Sequence, residues 1–143
     1  MPHPSHLERF IDAQSDTFET ALSELRSGRK QSHWMWFIFP QLAGLGRSPT
    51  ARYFGIASIA EARDYLADPL LGPRLRSVSE ALLRWAGDRS ADDILGPVDA
   101  MKLMSSMTLF EAASDDPLFS QLLDSFYSGA RDERTLALLN GEA

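Results

Sequence analysis

The chain of 143 residues contains no cysteine. Disulfide bonds, thiol nucleophiles and thiolate zinc sites are therefore all excluded, and the composition suits the reducing cytoplasm, where we expect the protein to be. The longest apolar run covers residues 34–39, which is too short to cross a bilayer. The N-terminus also lacks the basic segment and apolar stretch of a secretory signal. We therefore predict a cytoplasmic protein without a membrane partner.

Positive charge is scarce, with 14 Lys and Arg against 20 Asp and Glu and a net charge of −6. A molecule of this charge repels a phosphate backbone, so we expect no nucleic-acid partner. The charge is unevenly spread, because residues 1–60 carry six basic and five acidic side chains whereas residues 61–143 carry eight and fifteen. Residues 25–60 contain no carboxylate at all. This locally cationic stretch is either a solvated loop region or part of an anion-binding surface.

Motifs for metal binding and for common cofactors are missing as well. His33 is the sole histidine beyond the first six residues, so a three-histidine metal site would need the N-terminal end of the chain. Neither a P-loop nor the glycine motif of dinucleotide-binding folds occurs, and we expect no metal and no cofactor. A serine hydrolase triad assembled from Ser105 or Ser106, His33 and Asp99 would lack the Gly-x-Ser-x-Gly motif that presents such a nucleophile.

Helix signals dominate what is present. Ser48, Ser58, Asp132 and Asp16 are each placed to cap a helix. The 44% hydrophobic and 24% charged content fits one globular domain whose core is large enough to fold without disulfide or metal. We predict a mainly α, single compact helical domain of about seven helices over residues 1–143, with an ordered core over about 7–139.

Residues 32–41 form an aromatic block with the sequence SHWMWFIFPQ. Its aromatic and β-branched content favours a strand, whereas the neighbouring helices and the stop at Pro40 favour a buried helical turn. Trp34 and Trp36 would need only bulk as core residues, but tryptophan also offers a flat face for stacking and an indole donor. His33 and Gln41 add polar groups beside them. The block is therefore either core or one wall of a binding site.

A second unusual segment, VDAMKLMSSMTLF, covers residues 98–110. We predict a helix here whose apolar face packs on the core through Ala100, Leu103, Met104, Met107 and Phe110. The opposite side would carry a polar stripe made of Lys102, Ser105, Ser106 and Thr108. Asp99 lies within one turn of Lys102 and can pair with it. Lys102 is one of only two lysines in the chain. The stripe is either a solvated face or a set of hydrogen-bond donors for a ligand.

These segments carry a family resemblance. Residues 32–41, the stretch GLGRS at residues 44–48 and the helix segment over residues 99–110 resemble, in the same order, the hallmarks of the bacterial family called domain of unknown function 1810. The resemblance covers about residues 7–139. It implies a compact, mainly helical cytoplasmic domain, and it implies no established activity.

The two segments together predict a pocket for a small anionic, nucleotide-like ligand, built from residues 32–52 and 99–108. The candidate ligand-binding residues are Trp34, Trp36, Gln41, Arg47, Ser48, Arg52, Lys102, Ser105, Ser106 and Thr108. If the protein is an enzyme acting on a nucleotide or an ADP-ribose-like compound, the candidate catalytic residues are His33, Asp99 and Lys102.

An alternative hypothesis from another class is a protein-interaction module. It would expose Trp34, Met35 and Trp36, with neighbouring arginines, as a docking patch. A third possibility is that both segments are simply core. The burial of these side chains distinguishes the three hypotheses. The ligand hypothesis predicts a concave site beside Lys102, the docking hypothesis predicts a convex exposed patch, and the core hypothesis predicts neither.

Overall fold

The computed structural model describes residues 7–141, and this range contains ten helices. They are α1 (Glu8–Gln14), α2 (Phe18–Arg26), α3 (Met35–Ile38), α4 (Pro49–Tyr53), α5 (Ile59–Ala67), α6 (Leu71–Leu83), α7 (Ala91–Leu95), α8 (Pro97–Ala113), α9 (Pro117–Tyr127) and α10 (Glu133–Leu139). The mainly α prediction is confirmed. The number exceeds the predicted seven because α3, α4 and α7 are single turns of four or five residues, too short for a clear periodic pattern.

The aromatic block forms a helical turn. Helix α3 occupies its centre and ends before Pro40, which cannot continue the backbone ladder. The extended pairing within residues 7–141 is limited to one parallel bridge between Leu42 and Ile56, where the Ile56 N–H donates to the Gln41 carbonyl at 2.8 Å. Of the two structures open at the sequence level, the helical turn is the one that forms.

Most of the predicted helix caps form. Ser48, Ser58 and Asp132 each accept a backbone N–H from the first turn of α4, α5 and α10. Asp16 does not cap α2, which begins at Phe18 with Thr17 in the cap position. The chain turns so tightly after α1 that the Thr17 N–H donates to the Gln14 carbonyl, which leaves Asp16 inside the turn.

Helix α8 is the centre of the domain. It packs against α5, α7, α9 and α10, and residues 105–110 are consecutively buried. The prediction of a polar outer stripe is therefore wrong for Ser106 and Thr108, which are buried because neighbouring helices pack around α8 on several sides. Thr108 is satisfied there, since its hydroxyl donates to the Met104 carbonyl at 2.8 Å and accepts the Asp132 N–H at 3.0 Å.

A carboxylate on α2 holds the start of the aromatic block. The side chain of Glu24 accepts the backbone N–H groups of Gln31 and Ser32 at 2.7 and 3.0 Å, the Ser32 hydroxyl, and the Trp34 indole N–H at 2.9 Å. Trp34 is thereby anchored in the core with its single polar atom satisfied. The next turn of chain, which carries Trp36, leaves from this fixed point.

Candidate functional site

A hollow of about 320 Å³, which we call the Trp36 cavity, opens between the first half of α8, the loop after α3 and the start of α10. Its apolar wall is formed by Trp36, Leu45, Val98, Met101 and Met104. Gly46 and the polar residues Gln41, Lys102, Ser105, Asp132 and Arg134 complete the lining. The cavity therefore combines an aromatic and aliphatic wall with a few convergent polar groups, as small-molecule sites do.

Lys102 is held against the wall of this cavity. Its Nζ atom lies 4.1 Å from the centroid of the Trp36 ring and 3.4 Å from Oδ1 of Asp99. The side chain is 22% exposed. A cation over an indole face is attracted by the ring quadrupole, so the ammonium group is oriented by both contacts and does not extend into open solvent.

The second lysine of the chain meets the same carboxylate. Nζ of Lys30 lies 2.9 Å from Oδ2 of Asp99 and 5.1 Å from the centroid of the Trp34 ring. The Lys30 backbone N–H also donates to the Ile94 carbonyl at 2.7 Å, which ties this segment to α7. Two lysines thus share one aspartate, each beside a tryptophan. We call Lys30, Asp99 and Lys102 the two-lysine cluster, and its net charge is positive.

The third side of the cavity comes from α10. Asp132 accepts the backbone N–H and the hydroxyl group of Thr135 through Oδ2, so its carboxylate is engaged in capping the helix. Arg134 donates to the Leu45 carbonyl at 3.2 Å across a separation of 89 residues, and its guanidinium remains exposed. The sequence did not predict Arg134 as a site residue, because no local pattern indicates that a surface arginine contacts a loop far away in the sequence.

The comparisons place the chain in a family. A model of the family described as protein of unknown function (DUF1810) matches residues 4–139. The chain belongs to this family. It is also 48% identical to the conserved hypothetical protein Rv1873 from Mycobacterium tuberculosis, whose crystal structure superposes with a TM-score of 0.93 over 96% of this chain and 99% of that one. A search of curated proteins found no match. The family resemblance carried by the aromatic block and the α8 segment is thus confirmed.

Four of the predicted site residues of this DUF1810 member come together. Trp36, Gln41, Lys102 and Ser105 all line the Trp36 cavity, although they lie on two segments some 60 residues apart in the sequence. Asp99 does not line the cavity but forms an ion pair with Lys102. The juxtaposition of the two segments, on which the sequence-based hypothesis depended, is present.

The other predicted residues lie elsewhere. His33, Arg47 and Ser48 are exposed and do not line the cavity, and the Ser48 hydroxyl is occupied in capping α4. Arg52 lines a separate surface hollow. Trp34, Ser106 and Thr108 are buried in the core and do not line the cavity. The cavity is therefore lined by only part of the set of residues predicted from the two segments.

The exposed docking patch proposed as the alternative does not form. Trp34 and Met35 are 1% and 3% exposed. Trp36 is half-buried and lies in a concavity. The prediction of a convex surface built from these three residues is wrong because α3 turns two of them into the core.

Residues 7–141 also lack two features that would indicate other functions. Within that range, no helix has the length and apolar character required to cross a membrane. The same part of the chain holds no group of three or more His, Asp or Glu side chains arranged to bind a metal ion.

Proposed function

We propose that this protein binds a small anionic, nucleotide-like ligand in the Trp36 cavity. The observation that carries the proposal is the position of the Lys102 ammonium, 4.1 Å from the centroid of the Trp36 ring on one wall of the hollow. An acidic group pairs with a lysine ammonium, and a planar ring packs on an indole face. A ligand that contains both groups would use both features of this wall at once.

The charge around the cavity supports an anion. The two-lysine cluster carries two positive charges and one negative charge, so one ammonium charge is left without a full partner. Arg134 adds a guanidinium with one donor in use. The carboxylate of Asp132 is turned to Thr135 in its capping role. Attraction to an acidic ligand therefore exceeds repulsion at this site.

The size and the remaining polar groups fit a small molecule. A volume of about 320 Å³ lies at the lower end of the range for ligand sites. Gln41 offers an amide, and the Ser105 hydroxyl, which donates to the Met101 carbonyl at 3.3 Å, can still accept a hydrogen bond. His33, the candidate acid–base group, lies outside the cavity, so the proposal is for binding rather than for catalysis.

Replacing Lys102 tests the proposal. The Lys102→Met variant keeps a long, flexible side chain against Trp36 but removes the positive charge. A hydrogen bond to a charged group contributes about 1.5–3 kcal/mol, so we expect the dissociation constant for AMP or ADP-ribose to rise about 10- to 100-fold. The measurements are isothermal titration calorimetry and the ligand-induced shift in Tm.

A matched control removes a positive charge elsewhere. Arg63 is an exposed residue of α5 that does not line the cavity, and Arg63→Gln should bind these ligands as the wild type does. Circular dichroism checks that each variant is folded. Equal affinity in wild type and Lys102→Met would contradict the proposal, and so would the absence of binding by both AMP and ADP-ribose.

A further inference from the structure

The lip of the Trp36 cavity is apolar and open to solvent. Val98 and Met101 are 66% and 70% exposed, although both line the cavity. They lie three residues apart on α8, so their side chains are neighbours on one face of the helix. Isolated apolar residues on a surface are ordinary, but a pair that continues the buried wall outward leaves a connected apolar surface facing solvent.

This lip joins the inner wall without interruption. Trp36, Leu45 and Met104 form the inner apolar wall, and Met101 and Val98 extend it toward the mouth. Lys102 lies between Met101 and Met104 in the sequence, with its ammonium over the indole of Trp36. A ligand whose acidic group contacts Lys102 would therefore lay the rest of its body against apolar and thioether surface.

Few groups remain that could recognise the polar edge of a base. The Ser105 hydroxyl already donates to a carbonyl of its own helix and can only accept from a ligand, and Oδ2 of Asp132 accepts both hydrogen bonds from Thr135. The amide of Gln41 is the principal uncharged group left in the lining. Discrimination between two polar edges requires a site built with matching donors and acceptors. Contact area, rather than edge recognition, would then govern the selection of the ligand.

We propose that the ligand class of this site is a planar, largely apolar ring joined to one phosphate or carboxylate group, selected by contact with Met101 and Val98. The inference rests on the proposed function, because it assigns the anionic end of the ligand to Lys102. It goes further in making Met101 and Val98 specificity-determining residues. It also makes the ring, rather than a sugar or a particular base, the part that is recognised.

Three phosphate monoesters with different organic groups test the inference by isothermal titration calorimetry. Ribose 5-phosphate has the phosphate without a planar aromatic ring, AMP has both, and 1-naphthyl phosphate has an apolar aromatic ring without a sugar or a hydrogen-bonding edge. We expect 1-naphthyl phosphate to bind at least as tightly as AMP, and ribose 5-phosphate to bind at least tenfold more weakly than either.

The Met101→Gln variant isolates the lip, since glutamine has nearly the same helix propensity as methionine. It should weaken binding of AMP and 1-naphthyl phosphate about five- to tenfold and leave ribose 5-phosphate unchanged. The control is Leu136→Gln, which alters an exposed apolar residue of α10 that does not line the cavity and should change none of the three.

The outcomes separate the two proposals. If ribose 5-phosphate binds as tightly as AMP and Met101→Gln has no effect, while Lys102→Met still weakens binding, the ring selection is wrong and anion binding stands. If Lys102→Met leaves the binding of all three unchanged, or none of them binds the wild type, both proposals fail.

Discussion

Glu24 is the residue whose replacement tests most directly how the fold builds the site. Its carboxylate gathers four donors from residues 31–34, including the indole N–H of the buried Trp34. The Glu24→Gln substitution keeps the size of the side chain but removes the charge and replaces one acceptor oxygen with a donor group. With the amide oxygen at the Oε1 position, the three N–H groups keep their acceptor, but the Ser32 hydroxyl must turn to accept from the amide nitrogen. All four hydrogen bonds also lose the negative charge that strengthens them, which weakens the anchor of the aromatic block.

The pKa of Glu24 sets the size of the effect. Partial burial acts to raise the pKa of this carboxyl group, but the hydrogen bonds from Ser32, Gln31 and Trp34 outweigh it and lower the pKa from 4.5 to about 2. The difference corresponds to at most about 3 kcal/mol of stability at neutral pH. The group is only partly buried, so solvent screening reduces this to about 1–2 kcal/mol.

The sign of the pH dependence follows from the lowered pKa. The carboxylate is favoured in the folded state, so its contribution to stability is fully present above pH 4.5 and is lost as the pH falls from 4.5 toward 2. Urea unfolding followed by circular dichroism should therefore show Glu24→Gln to be about 1–2 kcal/mol less stable than wild type at pH 7. The difference should shrink at pH 3.5.

Glu80→Gln provides the control, because Glu80 is an exposed residue in the last turn of α6 and undergoes the same chemical change. We expect it to alter the free energy of unfolding by no more than about 0.5 kcal/mol. The reasoning is refuted if Glu24→Gln is no more destabilising than Glu80→Gln at pH 7. It is also refuted if the difference between wild type and Glu24→Gln is the same at pH 7 and pH 3.5.

Two other substitutions give separate tests. Gly28 has φ +77°, and an added Cβ atom would lie 2.8 Å from the Trp85 ring, whereas Gly87 has φ +86° and open space around it. Gly28→Ala should therefore lower the free energy of unfolding in urea by at least about 1 kcal/mol more than Gly87→Ala does. Equal losses would mean that the contact with the indole is unimportant. Asp99→Asn leaves two lysines without their shared carboxylate, so we expect AMP to bind several-fold more tightly while Tm falls. Weaker AMP binding in a folded variant would instead show that Asp99 acts by positioning Lys102.

The sequence by itself determined the local structure of this protein. Ser48, Ser58 and Asp132 cap their helices as predicted because a cap depends on backbone groups within three residues. The family resemblance rested on contiguous residues, and the match over residues 4–139 confirms it. The location of a candidate site on the aromatic block and the α8 segment could also be predicted, since both contain residues that are unusual at their positions.

Only the tertiary structure decided which of those residues meet. A helical wheel placed Ser106 and Thr108 on an open face, but α8 is covered on several sides by helices that come from distant parts of the chain. The pairing of Asp99 with both lysines and the reach of Arg134 to Leu45 depend in the same way on packing between remote segments. Periodicity and capping act over a few residues, whereas the cavity depends on contacts that only the packed core can establish.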